Sequence, residues 1–319
     1  MGRIPFAREQ VKIMTEKQAL SMIYFHRIGN RTMNDKIEKD YRGNDALRHS
    51  FNELATETFG LSFECWYRNG YWGEKYLPYS IVIDGTVISN VSVNLIDCKL
   101  NGKEKHYIQL GTVMTNKSQR GKGYCRILME TILHDYAGCD GFFLFANDSV
   151  LDFYPKFGFQ PAQEYRLCAE ISYNSDSCAE PVSMKTKQDW VYFLKEKNLR
   201  SSNGILQLYT DGLMMFYLTQ FMQNNVYYIK ALDAYVIADI DNDTLILYDV
   251  FSKSPVDMIE VCNSFGNTIT KAEFAFVPKE KRLLKKYEHK EANTTFFVRG
   301  DNLLKDMGEI LSFPEIAHA

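Results

Sequence analysis

From Asn44 onward, Leu47, Phe51, Leu54 and Ala55 recur at helical spacing behind an Asn-Asp start. That pattern predicts an amphipathic helix with a side-chain cap. A short second helix over 63–73 follows, broken by Gly70 and Gly73. Strand-like runs at 79–83 and 87–95 are joined by Asp84-Gly85, a hairpin pair, and Asn101-Gly102 turns the chain into a strand over 106–115. A polar loop over 116–123 then precedes a helix from 124 to about 136, whose apolar stripe is Tyr124, Ile127, Leu128, Ile132, Leu133 and Tyr136. Residues 142–146 are apolar without alternation, as in a central strand covered on both faces. Asn147-Asp148-Ser149 opens a helix reaching about 157, closed by Gly158. Strand, helix, strand, helix in this order predicts parallel strands with a right-handed crossover.

The first thirty or so residues show only a helical pattern ahead of Gly29-Asn30 and read as an extension, 1–33. The sharper pattern marks a first domain over 34–173. Asn174-Ser175-Asp176-Ser177 is polar and turn-forming, the linker candidate over 174–179. A second domain, 180–319, repeats the order: helices at 188–197 and 213–223, strands at 226–230, 234–239 and 244–251, a helix at 256–264 and a strand at 273–277. The run 279–290 has six Lys or Arg against two Glu and reads as a solvated surface element.

Composition narrows the function. In 319 residues, 45% are hydrophobic and 24% charged, which excludes a disordered or fibrous chain. No apolar run approaches the ~18 residues that span a bilayer, so no membrane is expected as partner. The start MGRIPFAREQVK has no secretory pattern, and the expected location is cytoplasmic. A net charge of -3 argues against nucleic acid as a partner. The seven cysteines include no C-x-x-C and read as buried, reduced thiols. The six histidines form no H-E-x-x-H, and no metal is expected.

The chemistry concentrates at Gln119-Arg120-Gly121-Lys122-Gly123-Tyr124. Two glycines ahead of a helix let the backbone turn tightly and aim its N–H groups at an anion, with Arg120 and Lys122 adding charge. The spacing is neither a P-loop nor a dinucleotide fingerprint, since position 126 is Arg. Alone, such a pair reads as a surface turn. Gly111 changes that reading, because a glycine inside a strand suggests a bulge or a close backbone approach. A bulge there would splay this strand from 142–146 and open a slot for an amide-bearing arm, with a pyrophosphate at its end. That combination describes coenzyme A.

Residues 106–159 resemble the Gcn5-related N-acetyltransferase (GNAT) family. Arg120-Gly121-Lys122-Gly123 is similar to the latter part of the Q/R-x-x-G-x-G/A motif, and Asn147 stands seven residues before Tyr154 in a stretch similar to N-x6-Y-x-x-x-G-F. Ser118 departs from the first motif position, and Pro155 after Tyr154 is unusual. The resemblance implies an α/β (α+β) protein: a GNAT fold with a central mixed, splayed sheet flanked by helices. It implies that backbone amides of Arg120, Gly121, Lys122, Gly123 and Tyr124 hold the pyrophosphate of acetyl-CoA. Val113, Met114 and Thr115 would line the pantetheine arm, and Asn147 the cofactor side of the next strand. Tyr154 would protonate the departing thiolate.

Some relatives carry a Glu on the fourth strand as general base, but the corresponding position here is Tyr107. Glu53, Glu57 and Glu64, beside Trp66, Tyr71 and Trp72, fall where the family binds acceptors, so Glu53, Glu57, Trp66 and Trp72 are the expected acceptor contacts. The second half carries Ser252-Lys253-Ser254-Pro255 at the loop position, without glycines, and looks like a degenerate second GNAT domain of a tandem arrangement. An unrelated α+β substrate domain is the alternative. In tandem enzymes the second domain can deliver a C-terminal carboxylate into the first domain's site, which implies a catalytic role for Ala319. The function implied is acetyl transfer from acetyl-CoA to a small-molecule or peptide amine by direct attack in a ternary complex. The rival is a non-catalytic acyl-CoA-binding or regulatory module.

Overall fold

The computed structural model describes residues 36–172, 177–308 and 312–319. The extension 1–33 and most of Asn174-Ser175-Asp176-Ser177 lie outside them. In the first half, the strands are β1 (Lys36–Lys39), β2 (Tyr76–Ile83), β3 (Thr86–Leu100), β4 (Lys103–Thr115), β5 (Gly141–Asn147), β6 (Gln160–Pro161) and β7 (Glu164–Glu170). Its helices are α1 (Asp45–Phe59), α2 (Glu64–Arg68) and α3 (Tyr124–Asp135). The second half has β8 (Ala179–Val182), α4 (Lys187–Lys197), β9 (Ser201–Ser202), β10 (Leu206–Leu208), α5 (Gly212–Gln220), β11 (Val226–Ile229), β12 (Ala234–Asp241) and β13 (Thr244–Ser252). It continues with α6 (Met258–Asn263), β14 (Lys271–Phe274), β15 (Lys285–His289), β16 (Thr294–Arg299) and α7 (Asp301–Met307).

Local chemistry sets the first elements. The Asn44 side chain accepts from Leu47 N–H at the start of α1, and Gly60, at φ 72°, ends it. Leu47, Phe51, Leu54 and Ala55 are buried, as the spacing predicts. The expected helix from 147 to 157 is instead two 3₁₀ turns, Asp148–Val150 and Tyr154–Phe157. Pro155 explains the break: it has no N–H to donate, and its ring blocks a continuous α-helix. Cys98 and Cys262 are buried, but Cys65 and Cys178 are exposed, correcting the expectation that all the thiols sit inside. Among the described residues, no helix is long and apolar enough to cross a membrane.

Two mixed sheets form the molecule. The first has the order β1-β2-β3-β4-β5-β16-β6, with β10 joined to β3, and the second β15-β7-β14-β13-β12-β11-β8, with β9 joined to β13. In each, one parallel pair is bridged by a helix: β4 and β5 by α3, β13 and β14 by α6. The second half therefore repeats the first in architecture. The sequence boundary at 174–179 is not a boundary in space, because the halves exchange a strand. β16 pairs with β5, Phe296 opposite Phe145, and β7 pairs with β14, Leu167 opposite Phe274. The reason lies in the apolar run of β5, which needs neighbours along both edges and cover on both faces. β16 suits that place, since Phe296 and Val298 are buried in one core and Phe297 in the other.

One core lies under α3, where Tyr124, Leu128, Met129 and Ile132 meet Val91, Val93, Ile108, Leu110 and Leu144. On the other side, α1 and α2 cover an aromatic cluster that includes Phe51, Phe63, Trp66, Trp72, Tyr76 and Phe216. Phe216 belongs to α5, so this cluster joins the two halves. The basic run supplies β15, an edge strand of the second sheet.

Candidate active site

The β4–β5 ladder runs from Tyr107–Gly141 to Leu110–Leu144 and stops there. Beyond it the two parallel strands are unpaired, leaving Gly111–Thr115 and the end of β5 open toward each other. A bulge sits at the same point: Asn90 faces Met114 and Ser92 faces Gly111, so β4 carries one extra residue. Thr112 adopts φ 48°, a conformation that non-glycine residues rarely take. Its hydroxyl shares a hydrogen bond with Tyr76 at 2.7 Å, and its carbonyl accepts from Asn90 Nδ2 at 2.8 Å. Sequence reading placed the opening through Gly111 but missed Thr112, Tyr76 and Asn90, which brace it.

Past the opening, Asn116 caps a 3₁₀ turn over Lys117–Gln119, and the loop reaches Gly123 at the start of α3. Gly121 and Gly123 have φ 78° and 80°, which favour glycine. A Cβ at either would meet no atom within 4 Å, so the loop presents an open surface. Arg120, Gly121, Lys122 and Gly123 are exposed, and Arg120 Nε donates to the Thr115 carbonyl at 3.2 Å. Lys122 Nζ donates to Gln119 Oε1 at 2.8 Å. Tyr124 is buried, anchoring the helix under its own N-terminus. A glycine turn leading into a helix N-terminus suits a pyrophosphate. Val113 and Thr115 are partly buried along the opening, while Met114 packs into the aromatic core. Asn147 is exposed at the end of β5, where its side chain accepts from Ser149 N–H.

The C-terminal segment enters this opening from the second half. A Cβ placed on Gly111 would lie 2.7 Å from the carbonyl carbon of Ala319 and 2.8 Å from its oxygen. Glycine at 111 is thus required by a close approach, and the residue making that approach is Ala319, itself exposed. The segment is held at several points. Phe313 stacks on Phe143 at 4.0 Å between centroids, and His318 on Phe145 at 3.6 Å. Tyr217 Oη donates to the His318 carbonyl at 3.0 Å, and Arg166 donates to Glu315 at 2.8 Å. Burial pushes the His318 imidazole down to about 3, so the ring is neutral. Tyr217, Phe143 and Phe145 carry no motif that would have marked them as holders of Ala319.

Tyr154 starts a 3₁₀ turn closed by Gly158 and is 5% exposed, against Phe153, Phe159 and Phe297. Burial, and secondarily Cys125, raise its phenol above the ordinary value, so the proton is retained at neutral pH. The expected acceptor contacts fare differently. Trp66 and Trp72 are 1% and 3% exposed. Their indole N–H groups donate to the Gly212 and Tyr76 carbonyls, so both are core anchors, not walls of an acceptor site. Glu53 and Glu57 lie on the outer face of α1, Glu53 near His49 at 3.4 Å and Glu57 near Lys117 at 3.9 Å.

Residues 44–159 match the Acetyltransferase (GNAT) family. This segment is a GNAT domain. Similar solved structures extend across both sheets. A conserved protein from Enterococcus faecalis V583, described as a probable N-acyltransferase, is 13% identical, with 86% of this chain and 74% of that chain covered at a TM-score of 0.54. A GCN5-related N-acetyltransferase from Kribbella flavida is 14% identical over 84% of this chain and 72% of that chain, TM-score 0.52. Another from Anabaena variabilis ATCC 29413 is 16% identical over 83% and 72%, TM-score 0.51. At these identities the likeness is one of fold. The curated proteins contain no match to the sequence. The GNAT domain ends just before β6, so the strand that completes its sheet, β16, comes from outside the matched segment.

Proposed function

We propose that the chain is an acetyl-CoA-dependent N-acetyltransferase acting on a primary amine by direct attack in a ternary complex. The observation that carries this reading is the end of the β4–β5 ladder at Leu110–Leu144, immediately ahead of the glycine turn and α3. The opening offers unpaired strand edges to an amide-bearing arm, and the turn offers amides of residues 120–124 to a pyrophosphate. Val113 and Thr115 line the arm. The amine nitrogen attacks the thioester carbonyl carbon, and backbone N–H groups around the bulge stabilise the oxyanion. The carbon–sulfur bond then breaks, Tyr154 gives its proton to the developing thiolate, and the second proton shed by the attacking nitrogen restores the phenol. The α-carboxylate of Ala319, seated on Gly111, takes the proton of the incoming ammonium, a task for which β4 supplies Tyr107 and no carboxylate at the corresponding position. A carboxylate with a pKa near 3.5 is ionised at neutral pH and attracts a cationic amine.

Thiol release across a panel of amines tests the proposal, using protein whose intact mass verifies Ala319 as its terminus. Release that requires both acetyl-CoA and an amine, without an acetylated protein intermediate, is the expected result. Acetyl-CoA binding by calorimetry without turnover of small or peptide amines would favour the binding-module reading instead.

A further inference from the structure

Between α4, the stretch carrying β9 and β10, β13 and the C-terminal segment lies a cavity of about 200 Å³. It belongs to the second half and is lined by none of the GNAT-domain residues described above. Asp249 of β13 forms part of its wall and is 9% exposed. Oδ1 accepts from Ser202 Oγ at 2.7 Å and from Val250 N–H at 2.8 Å, while no described residue donates to Oδ2. Oδ2 is therefore left open on the cavity side, where a cationic donor can reach it.

Lys197 supplies the opposite sign from the same lining. It is paired with Asp211 and lies 5.1 Å from the centre of the Phe251 ring. An ammonium has three donors, so the pairing leaves capacity for a second anion. Arg200, also in the lining, is committed to Asp233 and Glu196. Lys197 also donates to Asn198 Oδ1 at 3.4 Å, so the wall's spare capacity is its remaining ammonium donor, Asp249 Oδ2 and the second oxygen of Asp211. Met214, Phe251 and Ile316 provide an apolar surface beside them. The volume falls below the ~300–1,000 Å³ of sites for drug-sized ligands.

We propose that this cavity binds a small zwitterion, a free α-amino acid with an apolar side chain, its ammonium on Asp249 and its carboxylate at Lys197. Burial pushes the Asp249 carboxyl up to about 6, so it is mainly ionised at neutral pH. Pro314 and Ile316 form one wall, so an occupied cavity braces the segment that ends at Ala319.

Calorimetry with L-leucine and L-methionine tests this on the full chain. Isoamylamine, which lacks the carboxylate, and isocaproate, which lacks the amine, serve as controls. Both amino acids should bind, with each control weaker by about tenfold or more. Asp249→Asn should weaken leucine by a similar factor. Should that variant fail to fold, Gln207→Trp, a larger side chain in the lining, fills the cavity while keeping Asp249. Hydrogen exchange should show added protection in 201–210 and 312–319. Absence of binding by wild type up to about 10 mM, equal binding of isoamylamine and leucine, or unchanged affinity in the folded variants would overturn the proposal.

Discussion

Thr112 holds a left-handed backbone that carries a steric cost, and the hydrogen bonds from Tyr76 and Asn90 keep it there. Gly121 and Gly123 avoid that cost by having no Cβ. Gly121→Val or Gly123→Val would place a β-branched side chain at φ near 80° and directly in the loop surface. Acetyl-CoA affinity should fall by tenfold or more, roughly the effect of 1–2 kcal/mol, while the fold persists. Unchanged affinity in calorimetry rejects the assignment. Tyr154→Phe should lower kcat by roughly a hundredfold or more with little change in acetyl-CoA affinity. Near-normal turnover, with chemistry shown to be rate-limiting, removes the acid role. Both positions were legible because a local motif sets their geometry. Trp66 and Trp72 were not, since what encloses Trp66 includes Phe216, a residue 150 positions away.

The C-terminal segment is the element on which the proposed base depends. Adding two glycines after Ala319 should cost most of kcat/KM while acetyl-CoA affinity and Tm stay near wild type. An extended protein that acetylates at the wild-type rate ends the idea. His318 gives the segment a pH dependence. Its pKa is about 3 when folded, chiefly through burial, against an ordinary value of 6.5. Below pH 6.5 the unfolded chain takes up a proton that the folded chain refuses. Its contribution to stability is thus present above pH 6.5 and is lost as pH falls from 6.5 toward 3. His318→Phe keeps a ring on Phe145 without the titration, so its Tm should fall less steeply between pH 6.5 and 4. Parallel Tm curves for the two proteins would exclude this linkage. That the chain end reaches the first domain's site came from family resemblance; its seat on Gly111 did not, because no local pattern pairs residues 111 and 319.

At the scale of the whole molecule, most helices and strands followed from periodicity, but the strand exchange did not. Periodicity reports which faces are buried, not which distant strand lies alongside. A fragment of residues 36–172 contains the whole matched segment, 44–159, yet lacks β16 and leaves the edge of β5 bare. It should aggregate or melt without cooperativity, as read by size exclusion and circular dichroism. A monomeric fragment with a sharp transition would show that the exchange is dispensable. The same pairing orders events during synthesis. Asn147 is made 147 residues before its partner Thr294 (294 minus 147). At about 5–20 residues per second, the apolar edge of β5 waits roughly 7–30 s on the ribosome for its neighbour. Throughout that interval the nascent chain offers Phe142–Ala146 as a sticky, half-paired edge, a natural substrate for chaperones. A messenger cut short between codons 160 and 293 yields a polypeptide bearing the whole matched segment and an unfinished sheet.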